Sequence, residues 1–220
     1  GAVPAGKTFG GLNAEPVTMT GTVLTAEDIL YVEGKTTELL TLSQVASISG
    51  TAADIISINA KDTAGTPAIH GTGTGTIRII TDTSVSAANL TTIDALSVPA
   101  IQTTATELTG TYEQTLISLR SNAGLNPANG NAGTKTITGL DSVNVSLTAS
   151  ETSAELNTLE ALTTGTFTGA ITETDAATLL HATTGIGALS RTHNLTITLD
   201  DAIASAANIA TLDAKTSGTL

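Results

Sequence analysis

The sequence predicts an elongated β-solenoid, a right-handed parallel β-helix with short helices on one side and a β/α repeat character. Three observations carry that expectation. A short phrase recurs along the chain: Thr25-Ala26-Glu27-Asp28-Ile29, Thr51-Ala52-Ala53-Asp54-Ile55, Ser86-Ala87-Ala88-Asn89-Leu90, Thr152-Ser153-Ala154-Glu155-Leu156, Thr174-Asp175-Ala176-Ala177-Thr178-Leu179 and Ser205-Ala206-Ala207-Asn208-Ile209. Self-similarity at a spacing of tens of residues marks a repeat architecture. The stretches that follow are β-branched and rich in Thr and Gly, and about one residue in five of the whole chain is Thr, a residue suited to exposed strand faces. Hydrophobic residues make up 40% of the chain but aromatic ones only 2%, with no Trp. The core must then be built from Ile, Leu, Val and Ala, which stack well in a narrow lumen.

Each phrase reads as a short capped helix. Its Ser or Thr suits an N-cap, and the acid or amide behind it falls in the first turn, where backbone amides favour negative or accepting groups. Beyond Leu90 come Ile93 and Leu96, beyond Leu156 come Leu159 and Leu162, and beyond Ile209 comes Leu212. Aliphatic residues three apart lay one apolar stripe along a helix.

The intervening stretches read as strands. Thr36 to Leu42, Thr72 to Ile80, Thr163 to Thr168 and Thr216 to Leu220 are β-branched and open at Thr, Gly or Ser. Thr136-Ile137-Thr138, Val143-Asn144-Val145-Ser146-Leu147 and Leu195-Thr196-Ile197-Thr198-Leu199 alternate polar with aliphatic residues, the period of a half-buried strand.

Spacing favours stacked coils. The aliphatic anchors Ile29, Ile55, Leu90, Leu108, Leu156, Leu179 and Ile209 lie 26, 35, 18, 48, 23 and 30 residues apart, and solenoid coils take roughly 20 to 45 residues. About seven to nine coils follow from these intervals. Leu90 and Leu156 are each followed by a looser copy, at Leu108 and Leu179, which suggests a two-coil super-repeat. The longest interval holds the Gly, Asn and Pro residues of a loop insertion near 121–135. Residues 1–19 read as a Gly/Pro-rich linker or docking segment and 20–220 as a single repeat solenoid. The last phrase stops at Gly218-Thr219-Leu220, where its counterpart at Gly165 continues into a strand. Solenoids need capped ends, so the expectation is a larger parent protein or a protomer that docks on another copy.

Eight basic against 20 acidic residues give a net charge of −12, which argues against nucleic acid and anionic lipid as partners. A mean hydropathy of +0.23 argues against disorder. There is no Cys, hence no disulfide or thiol chemistry, and no apolar run long enough to cross a bilayer. Residues 1–23 lack the basic start and apolar centre of a signal peptide.

The phrases running from Ser86 to Leu96 and from Ser205 to Thr216 resemble repeats of very large, Thr-rich, acidic surface proteins of bacteria: adhesins, surface-layer proteins and motility-associated coat proteins, RTX-like in character. The resemblance implies an extracellular structural or adhesive role, often calcium-dependent. The chain departs from the calcium-binding nonapeptide pattern, because Gly71 to Thr76 has the glycines but no Asp.

Few residues invite chemistry. His70, His181 and His193 show no paired spacing and read as solvent-facing or packed. Glu173, Asp175, Asp200 and Asp201 gather at helix starts, where helix capping explains them; stacked corners would also offer oxygens to calcium, the one cofactor expectation here. Gly71 to Thr76 lacks the Lys of a phosphate loop and reads as a bend. The Thr-x-Thr pairs read as plain strand faces, and Asn89, Asn144 and Asn194 begin glycosylation sequons.

The function expected is a non-enzymatic extracellular structural or adhesive module of a surface layer, filament or giant adhesin, self-assembling end to end. Its partners would be copies of itself, neighbouring repeats or cell-surface polysaccharide, without nucleic acid or membrane insertion. The alternatives are a phage tail-fibre or receptor-binding solenoid and a polysaccharide-acting β-helix enzyme.

Overall fold

A computed structural model describes residues 14–63, 68–72, 76–96, 100–125, 136–200 and 205–220. The chain alternates short strands with helices. In order these are β1 (Val17–Thr20), β2 (Val23–Thr25), α1 (Ala26–Glu33), β3 (Leu40–Ser43), β4 (Ser47–Gly50), α2 (Ala52–Thr63), β5 (Ile69–His70), β6 (Ile77–Ile80), β7 (Ser84–Ser86) and α3 (Ala87–Asp94). They continue with β8 (Ile101–Thr103), β9 (Glu107–Gly110), α4 (Tyr112–Ala123), β10 (Ile137–Thr138), β11 (Asn144–Glu151) and α5 (Ser153–Glu160). Last come β12 (Phe167–Ile171), α6 (Ala176–Leu179), a 3-10 turn (Ile186–Ala188), β13 (Asn194–Thr196) and α7 (Ala206–Asp213).

Helices begin where a hydroxyl or carboxylate can take the place of the missing turn. Thr25 accepts from the Asp28 amide at 3.1 Å, Thr51 from Asp54 at 3.1 Å, and Ser205 from Asn208 at 3.1 Å. Thr111 with Gln114 and Thr152 with Glu155 form reciprocal capping boxes. The fourth residue after the cap turns inward: Ile29, Ile55, Leu90, Thr115 and Leu179 are fully buried and Leu156 nearly so. The strands pair in parallel and in register, so like side chains line up across neighbours. One row runs from the partly buried Leu24 through the buried Ile48, Arg78, Ile101 and Ile137; another, buried throughout, runs Val85, Leu108, Val145, Phe167.

The architecture is an α/β fold with three parallel sheets, in the orders β1-β3-β5, β10-β8-β6-β4-β2 and β13-β12-β11-β9-β7, and seven α-helices among the described residues. This corrects the expected β-solenoid. A β-helix sends every coil through every sheet, but here the first sheet stops at His70 and the third starts only at Ser84. The helices are also more than corner covers. A helix of 12 residues such as α2 or α4 spans about 18 Å, against about 13 Å for a four-residue strand. Successive helices α1 to α5 pack on one another as a layer, and each sets an apolar edge into the common core with Ile29, Ile58, Ile93, Leu119 and Leu159. The phrase spacing reports βα units correctly, but the lumen is a sheet-to-helix core rather than an all-strand tube.

Smaller expectations also change. Leu108, expected to anchor a looser copy of the phrase, lies in strand β9 rather than a helix, and the helix of that unit is α4, starting at Tyr112. Strand β1 begins at Val17, inside the segment expected to be linker. Of the loop expected near 121–135, residues 121–123 belong to α4 and 126–135 lie outside the described residues.

Candidate functional site

Carboxylates in this fold meet helix starts, and they do so across units. The first amides of a helix have no partner within it, and a carboxylate there is favoured by both the hydrogen bond and the helix dipole. Asp82 Oδ2 accepts from the amide of Ala52, the first residue of α2, at 2.7 Å. Glu151 Oε1 accepts from Tyr112, the first of α4, at 3.1 Å. Glu173 accepts from Ser153, the first of α5, at 2.8 and 3.1 Å through its two oxygens. These partners stand 30, 39 and 20 residues apart.

Strand register explains the pattern. The pairing of β4 with β6 sets Gly50 opposite Ile80, and two residues further on Asp82 stands opposite Ala52. The pairing of β11 with β12 likewise carries Ser153 to Glu173. Where the facing position meets a helix start at closer range it is Gly: Gly50 lies beside Ala26, and a Cβ there would stand 2.5 Å from the Ala26 Cβ. Gly110 faces Ala87 in the same way, at 3.1 Å.

Glu151 is 7% exposed, and burial pushes its carboxyl above the ordinary value; the Tyr112 amide works against that rise, while Glu155 and Glu113 add to it. Its hydrogen bond therefore works against a desolvation cost, unlike the more exposed pair at Asp82.

A second cluster closes the far end of the core. His193 is fully buried and stacks on Phe167 with ring centroids 4.4 Å apart. Its Nδ1 accepts from the Phe167 amide at 3.1 Å, so the ring carries its proton on Nε2, which lies 3.1 Å from Glu160 Oε1. Glu160 also accepts from the amides of Ser190 at 2.9 Å and Arg191 at 3.1 Å. Arg191 Nε stands 3.3 Å from Oε1 as an ion pair without hydrogen-bond geometry, and its Nη2 donates to the carbonyls of Glu160 and Thr163. Burial lowers the affinity of His193 for a proton, Glu160 opposes that, and Arg191 and Lys215 reinforce it; the net shift is downward. Burial also works to raise the Glu160 carboxyl, but the Ser190 amide, His193 and the Arg191 amide outweigh it and hold it below the ordinary value.

Arg78 interrupts the aliphatic row of the second sheet and is 1% exposed. Its guanidinium donates to the carbonyls of Thr76 at 2.7 Å and Thr72 at 2.6 Å and to Asn59 Oδ1 at 3.1 Å. Burial pushes its pKa down to about 10, against the attraction of Asp62, which bonds the Thr72 hydroxyl. Thr72 and Thr76 thus present their carbonyls to a cation supplied by the protein itself, while residues 73–75 of the expected bend lie outside the described residues.

The residues expected at a calcium site are placed as follows. Glu173 holds the Ser153 amide, and Asp175 caps α6 by accepting from the amide and hydroxyl of Thr178 at 2.8 and 2.7 Å. The Asp200 amide donates to Thr174 O at 3.3 Å, and Asp201 lies outside the described residues. Among the described residues no group of three or more His, Asp or Glu is placed to hold a metal ion. His70 and His181 are exposed and do not meet His193. Asn144 accepts from the Thr166 amide and hydroxyl, while Asn194 is exposed on β13. The strand-face hydroxyls do line up, Ser86 with Thr109, Ser146 and Thr168, although their spacing along the sequence is irregular.

Asp82, Glu151, Glu160 and Arg78 carry no signal in the sequence as site residues. Their roles depend on which residue the register sets beside them, and register is decided by core packing.

Comparison with known protein families, with characterised proteins and with solved structures returns no match. Among the described residues no helix is long and apolar enough to cross a membrane.

Proposed function

We propose that this chain is a structural module of a secreted protein, which holds a succession of strand–helix units in fixed order and catalyses no reaction. One observation carries the reading: the best-placed carboxylates, Asp82, Glu151 and Glu173, are each bonded to a backbone amide of another unit. Glu173 engages both of its oxygens in this way and Asp82 and Glu151 one each, which supports reading them as joints of the fold rather than as a general acid or base. The acidic composition and the absence of Cys fit an extracellular setting. The adhesin and surface-layer expectations rested on the resemblance of the repeat phrases and on a solenoid, and the three-sheet α/β fold removes the solenoid.

Incubation with neutral and acidic polysaccharides tests the proposal against the enzyme alternative. The structural reading expects no new reducing ends or unsaturated products, with Glu151→Gln changing thermal stability alone. Product release that Glu151→Gln abolishes would overturn it.

A further inference from the structure

One buried ring, that of His193, joins three parts of the chain. Its Nδ1 accepts from the amide of Phe167, the first residue of β12, and its Nε2 meets Glu160, the last residue of α5. Its backbone donates to the Lys215 carbonyl at 3.1 Å and accepts from the Ser217 amide at 2.8 Å, both beyond α7. Two residues on, the amide and carbonyl of Leu195 meet the Thr216 hydroxyl at 2.9 and 2.6 Å. Strand β13 and the segment from Lys215 to Thr219 therefore hold together as one piece. What ties that piece to β12 is a ladder of only three residue pairs, Thr168 to Ala170 against Asn194 to Thr196, and the His193 ring.

The ring fits this place in one protonation state only. A neutral imidazole has one accepting and one donating nitrogen, whereas an imidazolium has two donors. Protonation would set an Nδ1–H against the Phe167 N–H at 3.1 Å, two donors with no acceptor between them. Turning the ring over gives no relief, because Nε2 would then leave Glu160.

The surrounding charges do not make room for another cation. Glu160 from α5, Arg191 from the loop before β13 and Lys215 from the segment after α7 face the ring. Strand β12, helix α6 and the 3-10 turn carry no titratable side chain, and the one on α7, Asp213, is exposed. Glu160 is already shared among the Ser190 amide, the Arg191 amide and the Arg191 guanidinium. An imidazolium would enter as a third cation beside one carboxylate, out of reach of water. The other two histidines, His70 and His181, are exposed, so no other joint of the chain is built on this group.

We propose that His193 is an acid-operated latch, whose protonation parts β13 from β12 and from the end of α5, leaves the first two sheets and the β11–β12 joint folded, and uncovers the apolar side chains of Phe167 and Leu195. Reclosure needs only the loss of the proton, so the opening is reversible. The latch is a property of this joint and stands whether or not the chain serves as a structural module.

Hydrogen exchange of the full chain, followed by NMR at pH 7.5 and pH 5 and corrected for the intrinsic rate at each pH, tests the latch. The Phe167 amide should lose protection by up to about 30-fold, the gain in opening for a histidine of ordinary pKa that takes its proton only once released. Binding of an apolar dye should rise in parallel. The amides of Val145, Ile77 and Ile101, bonded to Thr166, Ala46 and Thr136, should keep their protection. His193→Gln, which cannot take the proton, should protect the Phe167 amide equally at both pH values; the parent series decides alone should that variant not fold. Unchanged protection at Phe167 would overturn the proposal. So would a loss shared equally by Val145, Ile77 and Ile101, the mark of global unfolding, or a pH dependence that persists in His193→Gln. None of these results alters the polysaccharide assay at neutral pH, so the two readings fail separately.

Discussion

Asp82 closes the helix that Ala52 begins, 30 residues earlier in the chain, with a 2.7 Å bond from amide to carboxylate. Removing the acceptor exposes what this contact contributes. Asp82→Ala should lower stability by about 1–2 kcal/mol, the usual loss for a charged cap, and Asp82→Asn by about half as much because an amide oxygen still accepts. Denaturant unfolding followed by circular dichroism measures both, and an unchanged midpoint in Asp82→Ala would contradict the assignment.

Acid should loosen the end of the fold around His193. Its folded pKa lies below 6.5, so as pH falls below about 6.5 the unfolded chain binds a proton that the folded ring refuses, and stability drops. Glu160, held below 4.5, adds stability above that value which is lost as pH falls further. His193→Gln should flatten the upper part of this loss in a series of melts between pH 7 and 5. An identical slope in the variant would rule out His193 as its source.

Glu151 works in the opposite sense. Burial raises its folded pKa above 4.5, so stability falls as pH rises from 4.5 through that folded value. Glu151→Gln should remove this component while leaving the His193 component in place, and the difference between the two pH profiles isolates it.

Arg78 should resist replacement even by an apolar side chain of similar length. Arg78→Met restores the aliphatic row from Leu24 to Ile137 but strands the carbonyls of Thr72 and Thr76. Each buried orphan costs about 1–3 kcal/mol, which outweighs the desolvation relieved. Arg78→Ala, which also leaves a cavity, should cost more. A Met variant more stable than the parent would show that the guanidinium is a burden rather than a clamp.

Chelation should leave the melting temperature unchanged, because Glu173 and Asp175 already hold amides. Calorimetry with chelator and then with calcium checks this, and a fall that calcium reverses would restore the cation reading.

The phrases with a hydroxyl, a small residue and an aliphatic were legible as helices because capping and a three-residue apolar spacing act locally. Alternation made Asn144 to Leu147 and Leu195 with Thr196 legible as strand, although β13 ends at Thr196, before the expected Leu199. Helix α4 was missed because its inward position holds Thr115 rather than an aliphatic residue, although Thr111 and Gln114 spelled a capping box. How the units close was not legible: a period of tens of residues serves a β-helix and a sheet-plus-helix layer equally, and helix length decides between them. The carboxylate contacts were illegible for a related reason. Asp82 and Ala52 look unrelated until β4 and β6 are paired, and the bulge between Ser146 and Ser150 shifts Glu151 beyond simple counting.

Hydrogen exchange at the amides of Ala52, Tyr112 and Ser153, followed by NMR in the parent and in Asp82→Ala, Glu151→Ala and Glu173→Ala, tests most directly whether carboxylates tie the units together. Each substitution should strip protection from its own partner amide and leave the other two protected. Equal protection in parent and variants would mean that these carboxylates tie nothing together.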